Sequence, residues 1–219
     1  MKDMARDINH HLTDALLMAY SAGTLPEAFN LTIAAHLSMC DECRARLGAF
    51  DAVGGALMDD GNAAADMASG SLAATLAKAK GAPATPAPTP RKTGILPAPI
   101  QDYIGGDLEA VKWRPVGMGV KQAIIATDKG ATARLLYIPA GAAVPDHGHR
   151  GTELTLVLQG AFSDETDRFA AGDIEVANED LNHMPVADIG ADCICLAATD
   201  APLKFRKIGH RIAQRFLRI

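Results

Sequence analysis

At 219 residues, with 48% hydrophobic and 21% charged residues and no continuous apolar run of the roughly eighteen residues a membrane span needs, the chain can bury real cores and is not expected to cross a bilayer. Its net charge of −5 and isoelectric point near 5.8 argue against direct nucleic-acid binding, which needs a basic surface to neutralise phosphates. The four cysteines fall in two close pairs and suit metal-binding or free thiols rather than a disulfide framework, and charges and histidines interrupt the N-terminus where a secretory signal would be apolar, so a cytoplasmic protein is expected.

Taken in chain order, Asp14 to Tyr20 is rich in alanine and leucine and is followed by Gly23, a residue that takes the left-handed stop cheaply, which predicts a first helix. Thr24, Pro26 and Glu27 form a capping box with proline in the first turn, and Phe29, Ile33, Leu37 and Cys40 follow at helical steps, predicting a second. Asp41 caps a third helix carrying Leu47, Phe50, Val53 and Leu57, with Gly54-Gly55 as a candidate break, and Ser71 starts a short fourth with Leu72 and Leu76. Residues 1–80 therefore read as a small all-α bundle with a thin core, of the kind that commonly needs a metal staple. Residues 81–99, GAPATPAPTPRKTGILPAP, hold six prolines and are expected to act as an extended, semi-stiff linker that keeps two domains apart. Beyond it, ARLLYIP, ELTLVLQG, DIEVA and CICLAAT are short β-forming runs with turn residues between them, which predicts an all-β sandwich or barrel within residues 100–219.

Two clusters carry metal chemistry. In HLSMCDEC, His36 and Cys40 stand at i and i+4 on one helical face and Cys43 follows three residues later. A tetrahedral structural zinc site takes four ligands, and His11, or its neighbour His10, is the nearby histidine that completes a two-histidine, two-cysteine set; His11 adjoins the helix and is preferred. A redox CxxC would sit beside a βαβ unit, which this segment lacks. The pattern HxxxCxxC with an upstream histidine, within a four-helix segment, resembles the zinc-binding anti-sigma domain. The wording HLSMCDECRARLGAFDAVGG after DALLMAYSAGTL resembles the ChrR-type anti-sigma factors in particular. The resemblance implies a chain that binds an extracytoplasmic-function sigma factor, in a 1:1 complex, and keeps it from RNA polymerase. Leu47, Phe50, Val53 and Leu57, in a domain too small to bury every apolar face, are the expected partner-binding residues.

The second cluster lies in the β-rich half. Residues 141–160, GAAVPDHGHRGTELTLVLQG, carry the first cupin motif, G-x5-HxH-x3-E-x6-G, without a departure. On a strand His147 and His149 point to the same face and can grip one ion, with Glu153 joining from the next strand. The second motif keeps Gly172 and His183 but has Asn178, Asp180 and Ala187 where the pattern wants proline, glycine and asparagine. The expected fold is thus multidomain, an α zinc bundle and an all-β cupin, the double-stranded β-helix or jelly-roll barrel, ending in a basic extension. Imidazole and carboxylate ligands suit zinc first and other transition metals also. Cys193 and Cys195 share one face of a strand, as a reactive pair that reports oxidation or as small apolar fillers.

The function that the resemblance to ChrR-type proteins implies is an anti-sigma factor that is not an enzyme and that releases its sigma factor on oxidative stress, by singlet oxygen or organic hydroperoxide, perceived at the cupin metal. The alternative is a cupin metalloenzyme of dioxygenase or isomerase type with a regulatory zinc domain.

Overall fold

The computed structural model describes residues 7–59, 66–82 and 93–205. The central prolines expected as linker, and the basic residues expected beyond Phe205, lie outside the described residues.

Helix α1, Asp14–Ser21, is capped by Thr13, whose hydroxyl accepts from the Leu16 amide at 3.3 Å, and Gly23 at φ +66° turns the chain after it. Helix α2, Glu27–Leu37, starts without the expected capping box. Thr24 Oγ1 donates back to the Ala19 carbonyl at 3.1 Å and closes the end of α1 instead. The cap of α2 comes from far along the chain, because Asp128 accepts from the Glu27 amide at 3.4 Å. Glu27 answers by accepting from the Asp128 amide at 2.6 Å and from the Tyr103 hydroxyl at 2.7 Å.

Helix α3, Asp41–Asp59, runs unbroken through Gly54-Gly55, contrary to the expected break. A Cβ at either glycine would meet nothing within 4 Å, so this stretch lies on a solvent face, where glycine costs about 1 kcal/mol without ending a helix. Helix α4, Ser71–Gly81, has no buried residue. A further helix, α5, Ala98–Ile104, begins at Pro97 and anchors itself through buried Leu96 and Ile100, so the C-terminal end of the expected linker is packed structure.

The strands are β1 Arg114–Gly117, β2 Val120–Ile125, β3 Thr132–Ile138, β4 His147–Gly148, β5 Glu153–Gln159, β6 Ala161–Ser163, β7 Arg168–Ala170, β8 Ile174–Ala177, β9 Asn182–His183, β10 Val186–Ala187, β11 Cys193–Thr199 and β12 Lys204–Phe205. They form a six-stranded sheet in the order β1-β2-β3-β11-β5-β8 and two three-stranded sheets, β10-β6-β7 and β12-β4-β9, with antiparallel pairing throughout.

The two halves are not held apart. In the large sheet, Val157, Ile138, Cys193 and Cys195 point into the barrel with Phe162 and Phe169. The alternate residues Leu135, Leu154, Leu156, Ile194, Leu196 and Ala198 join Phe29, Leu31, Ile33, Ala35 and Leu37 of α2 in one continuous core. Strands β5 and β11 are therefore buried on both faces, which accounts for the apolar run 193–198 of β11. An uncovered outer face would expose a large apolar patch, and the helices cover it.

Candidate metal centres

The first cluster forms where α1, α2 and α3 meet. His11 precedes α1, His36 lies in the last turn of α2, and Cys40 and Cys43 flank the start of α3. One ligand atom from each of these four lies within 4.8 Å of all the others. His11 Nδ1 is 3.3 Å from Cys40 Sγ and 3.7 Å from Cys43 Sγ. The Cys43 amide donates to Cys40 Sγ at 3.4 Å, as expected for a thiol at a helix start. His36 is fully buried; its Nδ1 donates to the Gly172 carbonyl at 3.0 Å, which leaves Nε2 bare, buried and without a hydrogen-bond partner. Burial holds His36 neutral, with its pKa down at about 4, and pushes the Cys43 thiol up to about 11. An orphaned imidazole nitrogen among two thiols and a second imidazole is a donor set that fits a tetrahedral ion.

His10 does not join this cluster. Its ring packs on Phe169 at a centroid distance of 4.3 Å and its Nε2 lies 3.1 Å from Asp167 Oδ2. Its backbone docks on the barrel: Asp173 Oδ1 accepts from the amides of Asn9 at 2.7 Å and His10 at 3.0 Å, and the Ile174 amide donates to the His10 carbonyl at 3.3 Å. Gly172, at φ +107°, makes this contact close, since a Cβ there would stand 2.7 Å from Ile8. One turn between β7 and β8 thus grips both sides of the first cluster, through His36 and through the residues leading to His11.

The second cluster sits in the barrel. Cross-strand pairing of β4 with β9 sets His147 opposite His183, and His149 completes a buried trio whose ligand atoms lie within 4.8 Å of one another. His149 Nε2 and His183 Nε2 are 3.3 Å apart. Outer partners orient the rings: His147 Nδ1 donates to the Pro145 carbonyl at 2.8 Å, and His183 Nδ1 donates to Asp164 Oδ2 at 2.7 Å with Glu175 Oε1 at 3.2 Å. Burial pushes His147 and His149 down. Burial also opposes charge on His183, but the carboxylates of Glu175 and Asp164 outweigh it and raise that group to about 9. Glu153 is close but stands outside the trio, with Oε2 3.7 Å from His149 Nδ1 and Oε1 accepting from Thr155 Oγ1 at 3.1 Å. Asp164 and Glu175 are the functional partners that motif spacing misses, because neither falls at a motif position.

Among the expected partner-binding residues, Leu47 and Phe50 pack partly against the core, whereas Val53 and Leu57 are 60% and 72% exposed. Met58 on α3 is exposed too, as are Leu72 and Leu76 on α4. Cys193 and Cys195 are buried side by side in the barrel, and the hydrogen bond between them, with burial, pushes the Cys195 thiol well up, away from the reactive thiolate. Among the described residues no helix is long and apolar enough to cross a membrane.

Comparison with known proteins agrees with this organisation. The family model described as the ChrR cupin-like domain matches residues 101–201. The chain is 60% identical over 212 residues to the anti-sigma-E factor ChrR of Cereibacter sphaeroides, covering 97% of this chain and 99% of that protein. Among solved structures, the crystal structure of Rhodobacter sphaeroides SigE in complex with the anti-sigma ChrR matches with a TM-score of 0.78 and 60% identity, over 88% of this chain and 99% of that one.

Proposed function

Since the chain belongs to the family of the ChrR anti-sigma factors, we propose that it regulates transcription by holding an extracytoplasmic-function sigma factor away from RNA polymerase, as a regulator and not an enzyme. The observation that carries this reading is the 60% identity across nearly the whole chain to an anti-sigma factor whose structure is a complex with its sigma factor. The apolar, exposed second half of α3 with Val53 and Leu57 supplies a helix face of the kind that docks in a groove. The protein acts in the cytoplasm, where its sigma partner is found.

His11, His36, Cys40 and Cys43 would hold zinc, which would cross-link the three helices that build the binding unit. His147, His149 and His183, with Glu153 beside them, would hold a second divalent ion, zinc first among those that fit. That ion would supply a site whose oxidation, with the metal bound, releases the sigma factor under oxidative stress. The β7–β8 turn provides the physical route, since Glu175 contacts His183 at one end and Gly172 and Asp173 hold His36 and His10 at the other.

The test is co-expression of the tagged full chain with extracytoplasmic-function sigma factors, followed by purification and competition with core RNA polymerase. A stoichiometric complex is expected, lost in Cys40→Ala/Cys43→Ala and kept in His147→Ala/His149→Ala/His183→Ala. Organic hydroperoxide should free sigma factor from the parent chain and not from the triple-histidine variant. A full chain that retains none of these sigma factors refutes the proposal.

A further inference from the structure

The four side chains of the first centre are not equally sheltered. His36, Cys40 and Cys43 are at most 2% exposed, whereas the side chain of His11 is 22% exposed, so a molecule that reaches for an ion there from solvent meets His11 first. Two charged side chains stand on that side, and both come from α3. Glu42 Oε2 lies 3.3 Å from His11 Nε2. Arg46 Nη1 lies 4.0 Å from Cys43 Sγ, and the same guanidinium donates to Asp14 Oδ1 at the start of α1, through Nε at 3.2 Å and Nη2 at 2.6 Å. Residues 42 and 46 are four apart on a helix and so share one face. Arg44, between them, is engaged elsewhere, with the Leu37 carbonyl at 2.6 Å and with Asp41.

Exposed ion pairs contribute little by themselves, but here the signs match the chemistry of the ligands. A metal-bound imidazole gives up electron density, so its remaining N–H donates more strongly, while a metal-bound thiolate keeps negative charge that a guanidinium can meet. The carboxylate stands at the imidazole and the guanidinium at the sulfur; exchanged, each would oppose its ligand. The two rings also differ in the nitrogen they leave for a metal. His36 engages Nδ1 with the Gly172 carbonyl and keeps Nε2 bare, whereas His11 turns Nδ1 to the sulfurs and Nε2 to Glu42.

We propose that Glu42 and Arg46 are positioning residues of the first centre, which hold His11 as a ligand through Nδ1 and clamp the Cys43 sulfur, so that zinc is lost slowly past His11. Arg46 does this while tying α3 to α1 through Asp14, and the two helices that carry the ligands stay closed on the ion. The inference rests on the reading of this cluster as a zinc site and deepens it, by naming the side chains that set how firmly the ion is kept.

The experiment follows zinc transfer from the purified full chain to a chromophoric chelator and takes the phase that Cys40→Ala/Cys43→Ala lacks. Glu42→Ala and Arg46→Met are each expected to speed that phase about three- to tenfold, between the effects of an exposed ion pair and of a buried outer partner. Arg46→Lys should recover part of the difference. Screening adds a readout that a packing role does not move: rising salt should speed transfer from the parent and change the two variants less. A measurement on the parent alone stands beside these, since nitrogen NMR of the zinc-loaded chain should show His11 bound through Nδ1 and His36 through Nε2. His11 bound through Nε2, or either variant matching the parent in transfer rate and salt response, overturns the proposal and leaves the zinc reading intact. A parent chain without that phase overturns the zinc reading as well.

Discussion

Asp173→Ala probes the clasp between the barrel and the first cluster. The carboxylate is 1% exposed and accepts three backbone amides, from Asn9 at 2.7 Å, His10 at 3.0 Å and Ala170 at 2.8 Å. Hydrogen bonds to an ionised acceptor contribute about 1.5–3 kcal/mol each, so the gross loss is on the order of 5 kcal/mol. The chain limits that loss by letting residues 9–11 detach and rehydrate, which withdraws His11 from the cluster. We therefore expect at least about tenfold faster zinc transfer to a chelator, the usual size of an outer-partner effect, and faster hydrogen exchange at the His10 and His11 amides. Burial alone would raise the Asp173 pKa, yet these amides hold it below the ordinary carboxylate value. A depressed native pKa means stability that is present above the unfolded value, near 4, and is lost as pH falls through the native one, so parent and variant should converge in acid. Unchanged exchange at residues 9–11 together with unchanged zinc transfer would refute the clasp.

Three further outcomes follow from the same geometry. Ile33→Ala, at a fully buried position of α2 against the sheet, should cost about 2–5 kcal/mol in urea unfolding, with Trp113 fluorescence and helical circular dichroism moving in one transition; two separate transitions would mean the halves do not share a core. Val53→Asp with Leu57→Asp should leave stability within about 0.5 kcal/mol while weakening sigma-factor binding at least tenfold by calorimetry, whereas Leu47→Asp should destabilise the fold. Removing His147, His149 and His183 together should lower bound metal, measured by plasma emission, from about two equivalents to about one, and Cys40→Ala/Cys43→Ala should do the same from the other site.

Much of the candidate sites was legible because their ligands are tied by local periods. His36, Cys40 and Cys43 are set by helix spacing and the turn into α3, and His147 and His149 by strand alternation, so the residues that converge could be named in advance. What escaped depends on contacts across the chain. The Thr24 capping box lost to Asp128, about a hundred residues away, which offers α2 a carboxylate already fixed by the β2–β3 loop. Helix α5 is too short for a periodic signal and begins among prolines that read as linker. The docking of the two halves did leave a trace, in strand β11, which is apolar at every position but Thr199, since a sheet wet on one face would alternate.

The position of β11 also fixes the order of events at the ribosome. Helix α2 completes its packing against a strand that ends at Thr199, about 160 residues after α2 itself is made. At about 5–20 residues per second, the helices emerge roughly 8–30 seconds before the surface they rest on exists. During that interval the apolar face of α2 that the sheet later covers stays open. A slower stretch of codons before β11 would lengthen that exposure and with it the chance of aggregation before the fold closes.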